Sequence, residues 1–171
     1  NGWYRNFIPD KPIAQIGNDS PCGNPLASDG FATTFGTTDG LGHIESEQVG
    51  AGGSGLSWTN KIATFAVLSA KAKASTSTLS IATVDVGKTA VITEAKLTWS
   101  ATNVGLCLRY VDTSNYILAY YNGTAVKLDK IVAGITTNLI SVNATYSAYA
   151  VLRVVCAETR FKVFYNGTQI G

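Results

Sequence analysis

The chain has 171 residues, the length of a single domain and enough to bury a core without staples. Hydrophobic residues make up 46% and no apolar run approaches about 18 residues, which excludes a disordered chain and a membrane-spanning helix. Thirteen Lys and Arg against eleven Asp and Glu leave a net charge of +2, too small and too scattered for a nucleic-acid footprint.

Residues 1–30 hold all four prolines, Pro9, Pro12, Pro21 and Pro25. Proline locks φ and lacks a ladder donor, so this segment is predicted as an extended arm or linker. Trp3, Tyr4, Phe7 and Ile8 give it an apolar tip, suited either to the domain's own surface or to a neighbouring subunit. The domain proper is expected over residues 31–171. Between 36 and 57, Gly36, Gly40, Gly42 and the run GAGGSG read as flexible loop. A phosphate cradle would need a helix directly after the glycines. The next residues, LSWTNKIATFAVL, alternate and are β-branched, which argues against one.

From Trp58 onward strands are predicted at 61–68, 77–86, 89–99, 103–111, 115–121, 124–132, 136–142, 149–156 and 159–165, with another starting at 168. Turn signals recur at roughly eight to twelve residues, the spacing of an all-β sandwich or barrel. Only 66–74, AVLSAKAKA, has the alanines of a helix former.

Two hairpins can be taken to register. Asn122-Gly123 favours a type I′ turn, pairing Tyr121 with Thr124, Ala119 with Val126 and Ile117 with Leu128. The turn at Thr113-Ser114 pairs Val111 with Tyr116, Arg109 with Leu118 and Leu108 with Ala119. Opposed residues share a face. One face then holds Leu106, Leu108, Tyr110, Ile117, Ala119, Tyr121, Val126 and Leu128 and is predicted as core. The other holds Cys107, Arg109, Val111, Tyr116, Leu118, Tyr120, Lys127 and Asp129 and should meet water in part. Tyr165-Asn166-Gly167-Thr168 repeats Tyr121-Asn122-Gly123-Thr124, as if one turn were used twice. Leu152, Val154 and Cys156, with Phe161, Val163 and Tyr165, read as the buried side of a second sheet. Trp58 and Trp99 are expected in the core.

Charged residues are only 14%, so the exterior must be polar but largely uncharged. Methionine is absent and Asn1 comes first, which suggests a processed chain or a piece of a longer one; no uncleaved signal peptide is visible. The three cysteines, Cys22, Cys107 and Cys156, allow at most one bridge and show no C-x-x-C spacing. Cys107 and Cys156 sit in apolar runs and are expected as small buried thiols.

SDGFATTFGTTDGLG at 28–42, Trp58 after the glycine loop, ATVDVG at 82–87, VGLCLRYVDTSNYILAYYNG at 104–123, LDKIVAGITTNLISV at 128–142 and LRVVCAETRFKVFYNGTQIG at 152–171 together resemble a laminin-G-like, concanavalin A-like jelly-roll module. Such modules occur in bacteriophage tail and virion proteins and in bacterial surface proteins. The resemblance implies two packed antiparallel sheets, with the concave face or its rim loops binding glycans or neighbouring subunits. It specifies no chemistry. The family pattern continues past the last hairpin into a further strand, where this sequence reaches Gly171. Either the strand lies further along a longer chain or it comes from elsewhere; an open edge there would be an aggregation risk or a site for strand addition by a partner.

Hydrolases of this architecture use paired carboxylates. The nearest pair is Glu45 and Glu47, but the expected acid triplet is missing and a solvated strand beside a loop explains them as well. His43 is the only histidine, with no nucleophile elbow and no clustered thiolates to join it. Asp29 and Asp39 are candidates for a structural calcium ion and also read as ordinary Asp-Gly turns; no other cofactor is expected. A sugar platform needs aromatic rings beside polar groups. Arg109, Tyr116, Tyr120, Lys127 and Asp129 have that composition, as would a cross-strand ion pair flanked by tyrosines or a subunit contact. Asn18, Asn122, Asn143 and Asn166 head N-x-S/T sequons, two of them at Asn-Gly turns. The reading is a non-enzymatic structural or recognition module on a virion surface or outside the cell. It would associate with its own copies or other surface proteins through the arm, the open edge and the tyrosine face. The alternatives are a secreted carbohydrate-binding module and, less favoured, a glycan hydrolase using Glu45 and Glu47.

Overall fold

A computed structural model describes residues 27–28, 48–49, 58–67, 71–74, 78–98 and 103–171. Every regular element among them is a β-strand. The chain divides into two compact units, residues 1–87 and 88–171.

In the first unit three short antiparallel pairs are described. They join β1 (Ala27–Ser28) to β2 (Gln48–Val49), β3 (Thr59–Ile62) to β6 (Ile81–Thr83), and β4 (Phe65–Val67) to β5 (Ala72–Ala74). The strand expected at 61–68 is split in two, with Ala63 in left-handed backbone at φ +51°. Asn60 Oδ1 accepts the Phe65 N–H at 3.1 Å and ties the two pieces together. The alanine-rich run is strand at Ala72–Ala74, with tertiary pairing overriding helix propensity. Ile81 is buried, Trp58 is half-buried, and Trp99 lies outside the described residues.

The second unit is a sandwich of two four-stranded antiparallel sheets. Its strands are β7 (Val91–Lys96), β8 (Val104–Asp112), β9 (Asn115–Tyr121), β10 (Ala125–Val132), β11 (Ile135–Asn143), β12 (Val151–Ala157), β13 (Arg160–Tyr165) and β14 (Thr168–Gln169). One sheet is the meander β11-β10-β9-β8 and the other runs β14-β13-β12-β7. The chain thus leaves the second sheet after β7, builds the whole first sheet, and returns beside β7. Leu97 and Ala150 extend that closing pair by a bond from Leu97 N–H to Ala150 C=O at 2.9 Å. Beyond β14, Ile170 N–H donates to Val163 C=O at 2.9 Å, carrying the pairing onward along β13.

Alternation sorts the two sheets as predicted. Leu108, Ile117, Ala119, Tyr121, Val126 and Leu128 from the first sheet meet Leu152, Val154, Cys156, Val163 and Tyr165 from the second in one buried cluster. The two repeated tyrosines meet within it, where the Tyr121 and Tyr165 rings stack at 6.0 Å and 12°. Offset stacking of this kind adds to simple area burial. Tyr121 Oη donates to Gly123 C=O at 2.7 Å, and Tyr165 Oη donates to Thr145 C=O at 3.4 Å, so neither hydroxyl is buried without a partner.

Register departs from expectation at two places. The β9–β10 pairing runs Tyr121 to Val126 and Ala119 to Leu128, two residues from the predicted pairs. The loop residues are Gly123 and Thr124 rather than Asn122 and Gly123, because Asn122 Oδ1 accepts the Thr124 and Ala125 N–H groups at 3.0 and 2.8 Å. Positive φ falls on Gly123 alone, at +100°, the first central position, where a type II′ turn places it. A shift of two keeps every side chain on its predicted face. The second tetrapeptide is different: Tyr165 pairs with Thr168, and Asn166 and Gly167 both have positive φ, +48° and +84°. That is the type I′ arrangement, so the same four residues make two different turns.

The other departure lies in β8. Asp112 pairs with Asn115 as the turn predicts, but Leu108 pairs with Ile117 and Leu106 with Ala119, leaving Arg109, Tyr110 and Val111 as a bulge against Tyr116. Arg109 has φ +48°. The bulge corrects two assignments. Tyr110 leaves the core side to stack on Tyr116 at 6.0 Å and 19°, and Arg109 leaves the outward face altogether.

Candidate functional site

The outward face of the first sheet is built from three cross-strand rows on β9 and β10: Tyr116 opposite Ile131, Leu118 opposite Asp129, and Tyr120 opposite Lys127. The β11 ladder adds Thr136, Asn138 and Ser141 beside Ile131, Asp129 and Lys127. Cys107 on β8 lies opposite Leu118.

Asp129 is the centre of this face and is only 7% exposed. A carboxylate so placed needs its oxygens occupied. Tyr120, its diagonal neighbour, donates to Oδ2 at 2.7 Å, and Asn138 Nδ2 donates to Oδ1 at 2.7 Å. Asn138 Nδ2 also reaches Ile140 C=O at 2.9 Å. Burial, and then the bond to Asp129, push the Tyr120 phenol up to about 12. The Tyr120 hydroxyl therefore stays protonated and committed to Asp129. The side chain of Lys127, half-buried on the same face, makes no hydrogen bond or ion pair among the described residues.

The five residues singled out from sequence do not form one platform. Tyr120 and Asp129 come together, Lys127 sits beside Tyr120, and Tyr116 is buried beneath its stack with Tyr110. Arg109 is elsewhere. Its guanidinium donates to Glu158 C=O in the β12–β13 turn and to Thr89 C=O at 3.4 Å, and lies 5.2 Å from the Phe161 ring. Left-handed backbone within the bulge is what swings it across to the second sheet. There it serves as a tie between layers. The face is also more enclosed than expected, since Tyr116, Asp129 and Ile131 are all buried.

Asn138 is the residue that sequence reasoning missed. Ala133 and Gly134, at φ +50° and +77°, form a two-residue turn, and carrying that turn's register onward puts position 138 opposite Asp129. The signal was present in Val-Ala-Gly-Ile but lacked the usual Asn or Asp.

Other carboxylates have local duties. Asp85 Oδ1 accepts the Gly87 N–H at 2.8 Å. Glu94 pairs with Arg153 on the outer side of the second sheet. Asp112 accepts the Ser114 N–H at 2.7 Å and the Asn115 amide, bonds that hold its pKa below the usual range. The thiols are separate and free: Cys156 lies in the core, whereas Cys107 is half-buried on the outward face, where the bulge-shifted register puts it opposite Leu118. Burial pushes the Cys107 thiol up to about 12. No group of three metal-ligating side chains occurs among the described residues. Asp29, Asp39, His43, Glu45, Glu47 and Cys22 lie outside those residues.

Exposed apolar side chains gather at the end of the first sheet that carries the Thr113-Ser114 and Ala133-Gly134 turns. Val111 is 76% exposed, Val132 50% and Ile135 72%. The turns are tied by Gly134 N–H to Ser114 C=O at 2.9 Å and Ala133 N–H to Asn115 Oδ1 at 3.0 Å. Compared with protein-family models, curated proteins and solved structures, the chain has no match.

Proposed function

We propose that the chain is a non-enzymatic structural or recognition module of the concanavalin A-like jelly-roll kind, carried on a virion or other extracellular surface and working through association with copies of itself or with neighbouring surface proteins. The observation that carries this reading is where unsatisfied surface lies. The polar centre of the first sheet is internally satisfied, with Asp129 held by Tyr120 and Asn138 and with Arg109 withdrawn to the second sheet. At one end of the same sheet lies exposed apolar surface, at Val111, Val132 and Ile135. A sugar site has the opposite character, with open rings and polar groups free to bond hydroxyls.

Carbohydrate binding is the second reading, and the half-buried Lys127 side chain beside the Tyr120 ring favours it. Two measurements separate the two. Sedimentation of the full chain is expected to show multimers, reduced when residues 1–30 are deleted, while a glycan array stays blank. A monomer at every concentration that captures a defined glycan would replace the assembly reading with the lectin one.

A further inference from the structure

A sheet edge is a row of unpaired N–H and C=O groups, and proteins blunt such edges with charge, proline, bulges or shortness. Three of the four edges in the second unit are blunted. β8 carries the three-residue bulge with Arg109 and Asp112, β7 carries Glu94 and Lys96, and β14 has two residues. β11 is different. It spans nine residues, Ile135–Asn143, with no charge and no proline, and eight of the nine are exposed. Four of them, Ile135, Thr136, Thr137 and Val142, are β-branched.

The free edge also matches itself. The Ala133-Gly134 turn makes Val132 and Ile135 a hydrogen-bonded pair, so alternation turns the backbone groups of Thr136 and Asn138 outward. The ladder shifts between Leu128 and Asp129, leaving Leu139 as an extra residue. Beyond it, Ala144 N–H bonds Thr124 C=O at 3.0 Å, which fixes Val142 as inward-turned and Ser141 and Asn143 as outward. The outward residues are therefore Thr136, Asn138, Ser141 and Asn143. Set antiparallel to a second copy about an axis between Leu139 and Ile140, Thr136 faces the partner's Asn143 and Asn138 faces the partner's Ser141. Both strands carry the extra residue at the same place, so the two bulges offset each other rather than breaking the register.

We propose that β11 is a self-association edge, joining two copies of this chain through antiparallel β11–β11 pairing into one continuous eight-stranded sheet. Four matched pairs supply about eight backbone hydrogen bonds, close to the roughly ten direct bonds of an ordinary protein interface. No charge on either strand opposes the approach. Pairing also shelters side chains left bare on the inner side of β11. There Gly171 lies over Ile140, an added Cβ falling 2.7 Å from Ile140 Cδ1, while Val142 and Ile135 remain exposed. The second unit offers one such edge among its described residues, so the contact is isologous and closes at two. The proposal rests on the assembly reading above and names the surface and the partner.

The test uses the full chain in sedimentation velocity over a concentration series, with two variants. Thr137→Lys puts a charge opposite the partner's Val142, and Thr136→Pro removes one outward donor without touching the bond to β10. A reversible dimer is expected, its Kd raised at least about tenfold by either change, with melting temperatures close to that of the parent. Should a variant fail to fold, the pair Thr137→Cys with Val142→Cys carries the test. Those positions face each other as a non-hydrogen-bonded pair, whose spacing suits a disulfide. The double variant should give a covalent dimer on oxidation where each single variant does not. Multimers that ignore both edge substitutions, or absence of that cross-link, overturn the edge pairing and leave the assembly reading standing. A chain that stays monomeric throughout overturns both.

Discussion

Tyr120, Asp129 and Cys107 set the chemistry of the outward face. A phenol and a thiol that hold their protons to about pH 12 make the folded state bind more protons than the unfolded state above their ordinary pKa values of 10.0 and 9.0. Stability is then fully present below pH 9 and falls as pH rises through 12. Equilibrium urea unfolding at a series of alkaline pH values should show that fall, and Tyr120→Phe combined with Cys107→Ala should shrink it, leaving the part due to the buried Tyr116 phenol, which is also raised. Tyr120→Phe also removes a donor from a buried carboxylate and should cost about 1–3 kcal/mol at neutral pH. A flat profile in the parent would contradict the enclosure of this face. Arg109 shows the limit of reading such residues from sequence. Its composition suited a ligand face, yet the decisive fact was a backbone angle, φ +48°, that no periodicity reveals.

Among the elements, the two Tyr-Asn-Gly-Thr hairpins are the most instructive. Asn122 works through its side chain, whose Oδ1 takes the Thr124 N–H, the Thr124 hydroxyl and the Ala125 N–H. Asn166 works through its backbone, at φ +48°. Asn122→Gly should therefore cost about 1–2 kcal/mol through lost bonds, whereas Asn166→Gly should be close to neutral, since glycine accepts positive φ freely. Thermal unfolding of the two variants decides the matter, and equal losses would contradict the assignment of two turn types. The strands and their buried sides were legible because apolar alternation has a period of two and survives a register shift of two. Leu108, Ile117 and Val126 consequently fell on the core side although all three pairings expected for them were wrong. What escaped was local: the Asn122 side-chain bonds that move the loop by one residue, the β8 bulge that turns Tyr110 outward, and the Ala133-Gly134 turn that brings Asn138 to Asp129. Each depends on a side-chain bond or a left-handed residue rather than on a repeating pattern.

At the scale of the molecule, residues 88–171 form two four-stranded sheets around one apolar layer, with charge sparse outside it. Low surface charge is a poor defence against association, and here the uncharged stretch coincides with the longest bare edge. Together these facts support the proposed pairing along β11. Residue-resolved amide hydrogen exchange in dilute and in concentrated solution tests this most directly. Amides on β9, β10 and β12 should exchange slowly under both conditions. Those of Thr136, Asn138, Ser141 and Asn143 should exchange fast when dilute and become protected when concentrated. Equally fast exchange of these four amides at both concentrations would contradict the pairing.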